Sequence, residues 1–221
     1  MGRDPRRRVL QPHDVSLAST TQSGSGSGPH VTDTPDAPHA HRRVSPLAVG
    51  VVVWLASELM FFGGLFAAYY TLRGQDEPWP PPGVELDIPR ALLFTAVLVA
   101  SSFSMHLSVR SADNDDRPGA LRWLFVTFVL GAAFLVNLGF EWGGNDFTLT
   151  DHAYGSIYYL LTGFHGAHLL GGLALMVAAA IAVSGTESHV PLGPTFTVSA
   201  YYWHFVDAVW IAVFLTIFVV Q

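Results

Sequence analysis

The 221-residue chain contains neither cysteine nor lysine. Without thiols it cannot form disulfides, thiolate zinc sites, iron–sulfur clusters or c-type haem attachments. The absence of cysteine says nothing further about the redox compartment. All 11 basic residues are arginine, which we read as coding bias, because no physical requirement bars lysine from loops. Charge is scarce as well. Only 13% of the residues are Asp, Glu, Lys or Arg, against 50% that are hydrophobic, the balance of a polytopic membrane protein. The net charge of −6 comes from acids spread through the N-terminal segment and the loops. No acidic block or basic patch marks a nucleic-acid surface. Arg3 and Arg6–Arg8 are not followed by an apolar stretch, so no secretory signal is expected and the first membrane span should itself direct insertion.

Residues 1–44 are rich in Ser, Gly, Thr, Pro, Asp and His, with a GSGSG stretch at Gly24–Gly28. Such a segment buries too little apolar surface to offset its ordering entropy and is expected to be a disordered cytoplasmic tail. A second region, 45–221, carries five apolar runs at about 46–72, 88–111, 121–142, 154–184 and 196–220. Each reaches the roughly 20 residues a helix needs to cross about 30 Å of hydrocarbon. The expected fold class is an all-α integral membrane bundle of five transmembrane helices. With the N-terminus inside, the inner segments carry nine arginines (Arg3, Arg6, Arg7, Arg8, Arg42, Arg43, Arg110, Arg117 and Arg122) and the outer ones two, Arg73 and Arg90. Arginine excess marks the cytoplasmic side, which places the N-terminus in and the C-terminus out. Small residues repeat at four-residue spacing in Gly163/Ala167/Gly171, Ala96/Ala100/Ser104/Ser108, Gly63/Ala67 and Gly64/Ala68, a pattern that suits close helix packing in lipid. Trp79, Trp142 and Tyr154 fit an aromatic belt at the membrane surface.

Ionisable residues lie inside these runs: Glu58 in the first, His165 and His168 in the fourth, His204 and Asp207 in the fifth. Each costs about 2.5–3.5 kcal/mol near the bilayer centre on insertion scales. His165/His168 and His204/Asp207 are each three apart, so each pair shares a helix face. Mutual hydrogen bonding across helices would make their burial tolerable. Three readings stay open on the residues alone. A metal site has suitable donor types, but no Glu-x-x-His pair of the carboxylate-bridged di-iron kind is present. A proton path could run through Glu58. A structural polar core could fix helix register. Asn137 and Glu141-Trp142 fall near the outer end of the third run.

At these residues the chain resembles subunit III of the haem–copper oxidases, in the short five-helix bacterial form. The stretches are Ser57-Glu58-Leu59-Met60-Phe61-Phe62-Gly63 with Phe66-Ala67-Ala68-Tyr69-Tyr70, the Trp79-Pro80-Pro81 loop, Ser101-Ser102-Phe103, Glu141-Trp142, and Thr162-Gly163-Phe164-His165-Gly166-Ala167-His168 with Gly171-Gly172. The last is Tyr201-Tyr202-Trp203-His204-Phe205-Val206-Asp207-Ala208-Val209-Trp210. The run around Glu58 and TGFHGAHLLGG look actinobacterial in type. The resemblance implies a multi-pass plasma-membrane subunit that itself carries no haem, copper or other metal. A-type haems and copper would sit in subunits I and II. Implied partners are those two subunits, a small subunit IV, membrane phospholipids and a cytochrome bc complex in a supercomplex; nucleic acid is not among them. By the same resemblance Glu58 is the carbodiimide-reactive carboxylate, with a supporting part in proton uptake. His165, His168, His204, Asp207 and Glu141 belong to the structural polar core. The rival readings are the same subunit in a quinol oxidase and an independent proton-coupled transporter. Against the transporter, no inverted repeat is evident.

Overall fold

The structure, a computed structural model, describes residues 46–75, 78–185 and 190–220. The expected tail, 1–44, lies outside the described residues. Five helices follow one another: α1 (Pro46–Arg73), α2 (Ile88–Asp113), α3 (Arg117–Gly144), α4 (Ala153–Ser184) and α5 (Leu192–Phe214). The last continues into a short π-helical turn over Leu215–Val219, closed by Val220 N–H donating to Leu215 O at 2.9 Å. All five are long and apolar enough to cross a membrane. The chain is therefore an all-helical membrane protein.

Two helix starts lie earlier than the hydropathy suggests. Residues 113–119 read as a polar turn, yet α3 begins at Arg117 and the turn shrinks to Asn114–Asp116. Asp116 caps α3 by accepting the Gly119 amide at 3.1 Å, and Pro118 in the first turn has no N–H that the helix would need. Asp115 takes a left-handed conformation, φ 56°, one that Asp tolerates better than most residues and that lets the chain reverse in so few residues. Helix α5 likewise starts at Leu192 rather than near 196, with Pro194 in its first turn.

Helix α5 forms the core of the bundle and packs against α2, α4 and α1; α3 bridges α2 and α4. Trp203 explains how α5 sits so deep. Its ring is fully buried and lies between Gly131 of α3 and Gly172 of α4, where side chains would collide with it. Its indole N–H donates to Ser101 Oγ of α2 at 2.9 Å. One residue of α5 thus touches three helices. Trp210, two turns on, donates to Thr95 Oγ1 at 2.9 Å. A buried indole N–H needs such an acceptor, and serines and threonines on α2 supply it.

The small-residue faces are only partly those of the four-residue stripes. On α2, Ser104 and Ser108 face α3, through Thr127 Oγ1 and Ala120 O, each at 2.8 Å. Ala96 and Ala100 are exposed, and the buried face runs instead through Leu98, Ser101 and Met105. Gly63 and Gly64 on α1 have no atom of the described residues within 4 Å of where a Cβ would lie, and of those two stripes only Ala68 packs on the core. The three aromatic residues of the expected belt also pack against the chain itself. Tyr154 is fully buried, and Trp79 and Trp142 are half-buried. Trp79 stacks edge-on between Tyr69 and Tyr154, with ring centroids 5.5 and 5.1 Å away. Its N–H donates to Tyr69 Oη at 3.0 Å. The indoles of Trp79 and Trp142 have acceptors within the chain, Tyr69 Oη and Thr162 Oγ1, whereas the Tyr154 hydroxyl has none among the described residues.

Candidate functional site

Glu58 meets His168 near mid-membrane. Glu58 is twelve residues, about 18 Å, into α1, and His168 fifteen residues, about 22 Å, into α4. Their closest atoms, Glu58 Oε2 and His168 Nε2, are 3.1 Å apart. Each side chain keeps a minor part of its surface open, 23% for Glu58 and 16% for His168. His168 Nδ1 lies 2.7 Å from the Phe164 carbonyl, which can only accept, so Nδ1 carries a hydrogen. The contact with Glu58 then holds one further proton, on Nε2 as an ion pair or on Oε2 as a neutral pair. Without that proton, two lone pairs would face each other.

Aromatic contacts hold α1 in register around this pair. Trp54 stacks on Tyr202 at 5.3 Å, Phe62 meets the His168 ring edge-on at 5.0 Å, and Phe61 meets Phe164 at 4.8 Å. Trp54, Glu58, Phe62 and Tyr69 follow helical spacing along one stripe of α1. Tyr202 closes the arrangement by donating its hydroxyl to the His168 carbonyl at 3.0 Å. The rest of α1 is largely open: only 6% of its apolar window is buried, against 61% for α5.

The other intramembrane residues do not join this pair. His165 is fully buried between Phe134 and Trp210, centroids 6.0 and 4.9 Å away. Neither of its nitrogens has a hydrogen-bond partner among the described residues. Although three residues apart, His165 and His168 thus occupy different environments. His204 and Asp207 do share a partner, Ser102 of α2: its hydroxyl lies 2.9 Å from His204 Nδ1 and donates to Asp207 Oδ2. Glu141, at the far end of α3, accepts the Tyr158 hydroxyl at 2.9 Å. Arg90 Nε donates to Asn137 Oδ1 at 2.6 Å, a cross-helix bond that composition alone did not single out. Among the described residues, no three His, Asp or Glu side chains gather as a metal would require.

Outside the spans, the loop before α4 is organised by Asp151. Its Oδ2 accepts the Thr148 amide at 2.7 Å. That bond, aided by the Thr148 hydroxyl, holds the Asp151 carboxyl below its ordinary range. The next residue, His152, caps α4 by accepting the Gly155 amide on Nδ1 at 2.8 Å.

The arrangement defines a class: a multi-pass helical membrane protein whose polar side chains tie helices to one another, with an apolar and largely unburied first helix. Residues 32–221 match the family model for cytochrome c oxidase subunit III. The chain belongs to that family. It is 42% identical over 187 residues to a protein named "Probable cytochrome c oxidase subunit 3" from Nocardia farcinica, an alignment covering 83% of this chain and 92% of that protein. A protein of the same printed name from Mycobacterium tuberculosis strain H37Rv is 41% identical over 188 residues, covering 83% and 92%. "Cytochrome c oxidase subunit 3" of Corynebacterium diphtheriae is 37% identical over 188 residues, covering 82% and 92%. The chain is therefore a subunit of a membrane-bound terminal oxidase of the respiratory chain.

Proposed function

We propose that this chain is a non-catalytic subunit of a proton-pumping oxidase that passes electrons from cytochrome c to oxygen. Its task is to stabilise subunit I and to keep that subunit's proton-entry side in working order. A-type haems and copper reside in subunits I and II, and this chain contributes helices, contacts and lipid-facing surface. A small subunit IV and a cytochrome bc complex complete the assembly, with the arginine-rich end of the bundle in the cytoplasm.

The observation that carries this reading is the Glu58–His168 pair. A midplane carboxylate is committed to a histidine of the same chain, in a bundle where Arg90, Ser102 and Glu141 tie helices to one another. Such a pair retains one proton in a largely apolar setting and fixes α1, whose outer face is free to meet phospholipid or a neighbouring subunit. Glu58 thereby supports proton uptake through the geometry it maintains, and His165, His168, His204, Asp207 and Glu141 act as structural polar groups.

The test is to purify the complex in mild detergent through a tag on this chain and record a reduced-minus-oxidised visible spectrum. A-type haem co-purifying is the expected result, with b- and c-type bands if the supercomplex survives. O-type haem would instead assign the chain to a quinol oxidase. An intact chain with no haem-bearing partner would overturn the reading in favour of a transporter.

A further inference from the structure

The seam between α2 and α5 holds a second polar group, separate from Glu58, and it opens outward. Ser102 sits between two side chains of α5 and has a single proton to give. With Asp207 ionised, that proton goes to Oδ2, and the Ser102 oxygen receives the Nδ1–H of His204, 2.9 Å away. A neutral imidazole with hydrogen on Nδ1 presents Nε2 as an acceptor. The His204 ring is exposed, and Nε2 has no partner among the described residues. His106, one turn along α2 from Ser102, is exposed too and close enough to His204 for the two to interact electrostatically. Large apolar side chains surround them: Phe103, 68% exposed, and Tyr201, 44% exposed.

The depth of this surface limits what can cover it. His204 lies twelve residues from the start of α5, about 18 Å, near the middle of the hydrocarbon. Lipid tails offer no hydrogen bond, and headgroups sit some 15 Å away on either side. A second copy would set two His204 acceptors against each other where the two-fold axis passes between them, and off that axis it is an outcome the crosslinking below distinguishes. A protein helix carrying a hydrogen-bond donor meets both the depth and the chemistry. We infer that the α2–α5 seam around Ser102, His106 and His204 is a docking surface for a transmembrane helix of a haem-bearing oxidase subunit that presents a donor side chain to His204 Nε2. This inference rests on the functional reading above. It adds which face of the chain meets the partner and by what contact.

The test uses the assembled complex, with a photo-crosslinking phenylalanine analogue at Phe103 on the seam and, as a control, at Phe125, 66% exposed on α3. Phe103 is expected to crosslink to a transmembrane peptide of the co-purified haem-bearing subunit, and Phe125 is not. In parallel, His204→Leu removes the acceptor at an exposed position. It should lower haem retained per tagged chain under rising detergent by about threefold, the worth of one average interhelical hydrogen bond. Phe103 crosslinks confined to phospholipid or to a second copy of this chain, with haem still co-purifying, would overturn the assignment of this face alone. Absence of any haem-bearing partner would overturn both readings.

Discussion

Gly172 is a place in this bundle where packing leaves little slack. A Cβ added there would lie 3.0 and 3.1 Å from Trp203 Cε3 and Cζ3 and 3.2 Å from Tyr202 Cε1. Contact between carbon atoms is optimal at about 3.5–4.0 Å, so both rings would have to retreat by several tenths of an ångström. Neither has room. Trp203 is backed by Gly131 on its other side and pinned through its N–H to Ser101. Tyr202 is tied by its hydroxyl to the His168 carbonyl. Overpacking of this kind costs about 1–3 kcal/mol. The better helix propensity of alanine returns at most about 1 kcal/mol. Gly172→Ala should therefore destabilise by about 1–2 kcal/mol on balance, roughly a fivefold to thirtyfold shift in the folded ratio. Gly139→Ala is the matched control, because no atom lies within 4 Å of its Cβ position; it should be neutral or slightly stabilising. Size-exclusion chromatography of the heated, detergent-solubilised complex reads the difference. A Gly172→Ala complex that survives heating as well as the Gly139→Ala complex would refute the account of Trp203 as a wedge without slack.

Three further outcomes follow from the polar groups. Glu58→Gln should leave assembly and haem content intact with at most a modest loss of proton pumping, because an amide N–H can donate to His168 Nε2 where the shared proton now sits; loss of the haem spectrum would count against this. His165→Leu should change thermal stability of the complex by no more than about 1 kcal/mol in either direction, since removing a buried polar group without partners forfeits no hydrogen bond. A collapse of the complex would show that the imidazole has a role the packing does not reveal. Asp151 has a lowered pKa in the folded loop, so its contribution is present above the ordinary aspartate value of about 3.9 and is lost as pH falls through the lower folded value. Hydrogen exchange at the Thr148 amide, corrected for intrinsic rate, should accelerate on acidification past that point, and Asp151→Asn should abolish the step.

Five helices could be read from the sequence because apolar runs of bilayer length leave little choice of structure. Their ends could not, since hydropathy is blind to capping. Asp116 and Pro118 look like turn residues by composition, and only the hydrogen bond to Gly119 reveals that they begin a helix. Counting residues in from the ends of the apolar runs puts Glu58, His168 and His204 at comparable depths but does not give their partners, which depend on how α1 and α5 rotate. Glu58 found His168, whereas His204 found a serine. Ser102 has no depth signature of its own, because a lone hydroxyl is inexpensive in a membrane helix. Trp203 and Trp210 offered the best missed signal: two indoles in the apolar run of α5 imply two acceptors on a neighbouring helix, and Ser101 and Thr95 were in plain view.

The pairing of α1 with α4 also has a consequence in time. Glu58 and His168 are separated by 110 positions, and synthesis proceeds at about 5–20 residues per second. For some 5–20 seconds after Glu58 is polymerised, the histidine that receives it does not exist. Tyr202, on which Trp54 stacks, comes later still. During that interval α1 has to reside in the bilayer or the insertion machinery as a solitary helix, carrying a group that costs about 2.5–3.5 kcal/mol to hold there unpaired. The rim helix of the finished bundle is thus a waiting element during its birth, and any slowing of translation between α1 and α4 prolongs the wait.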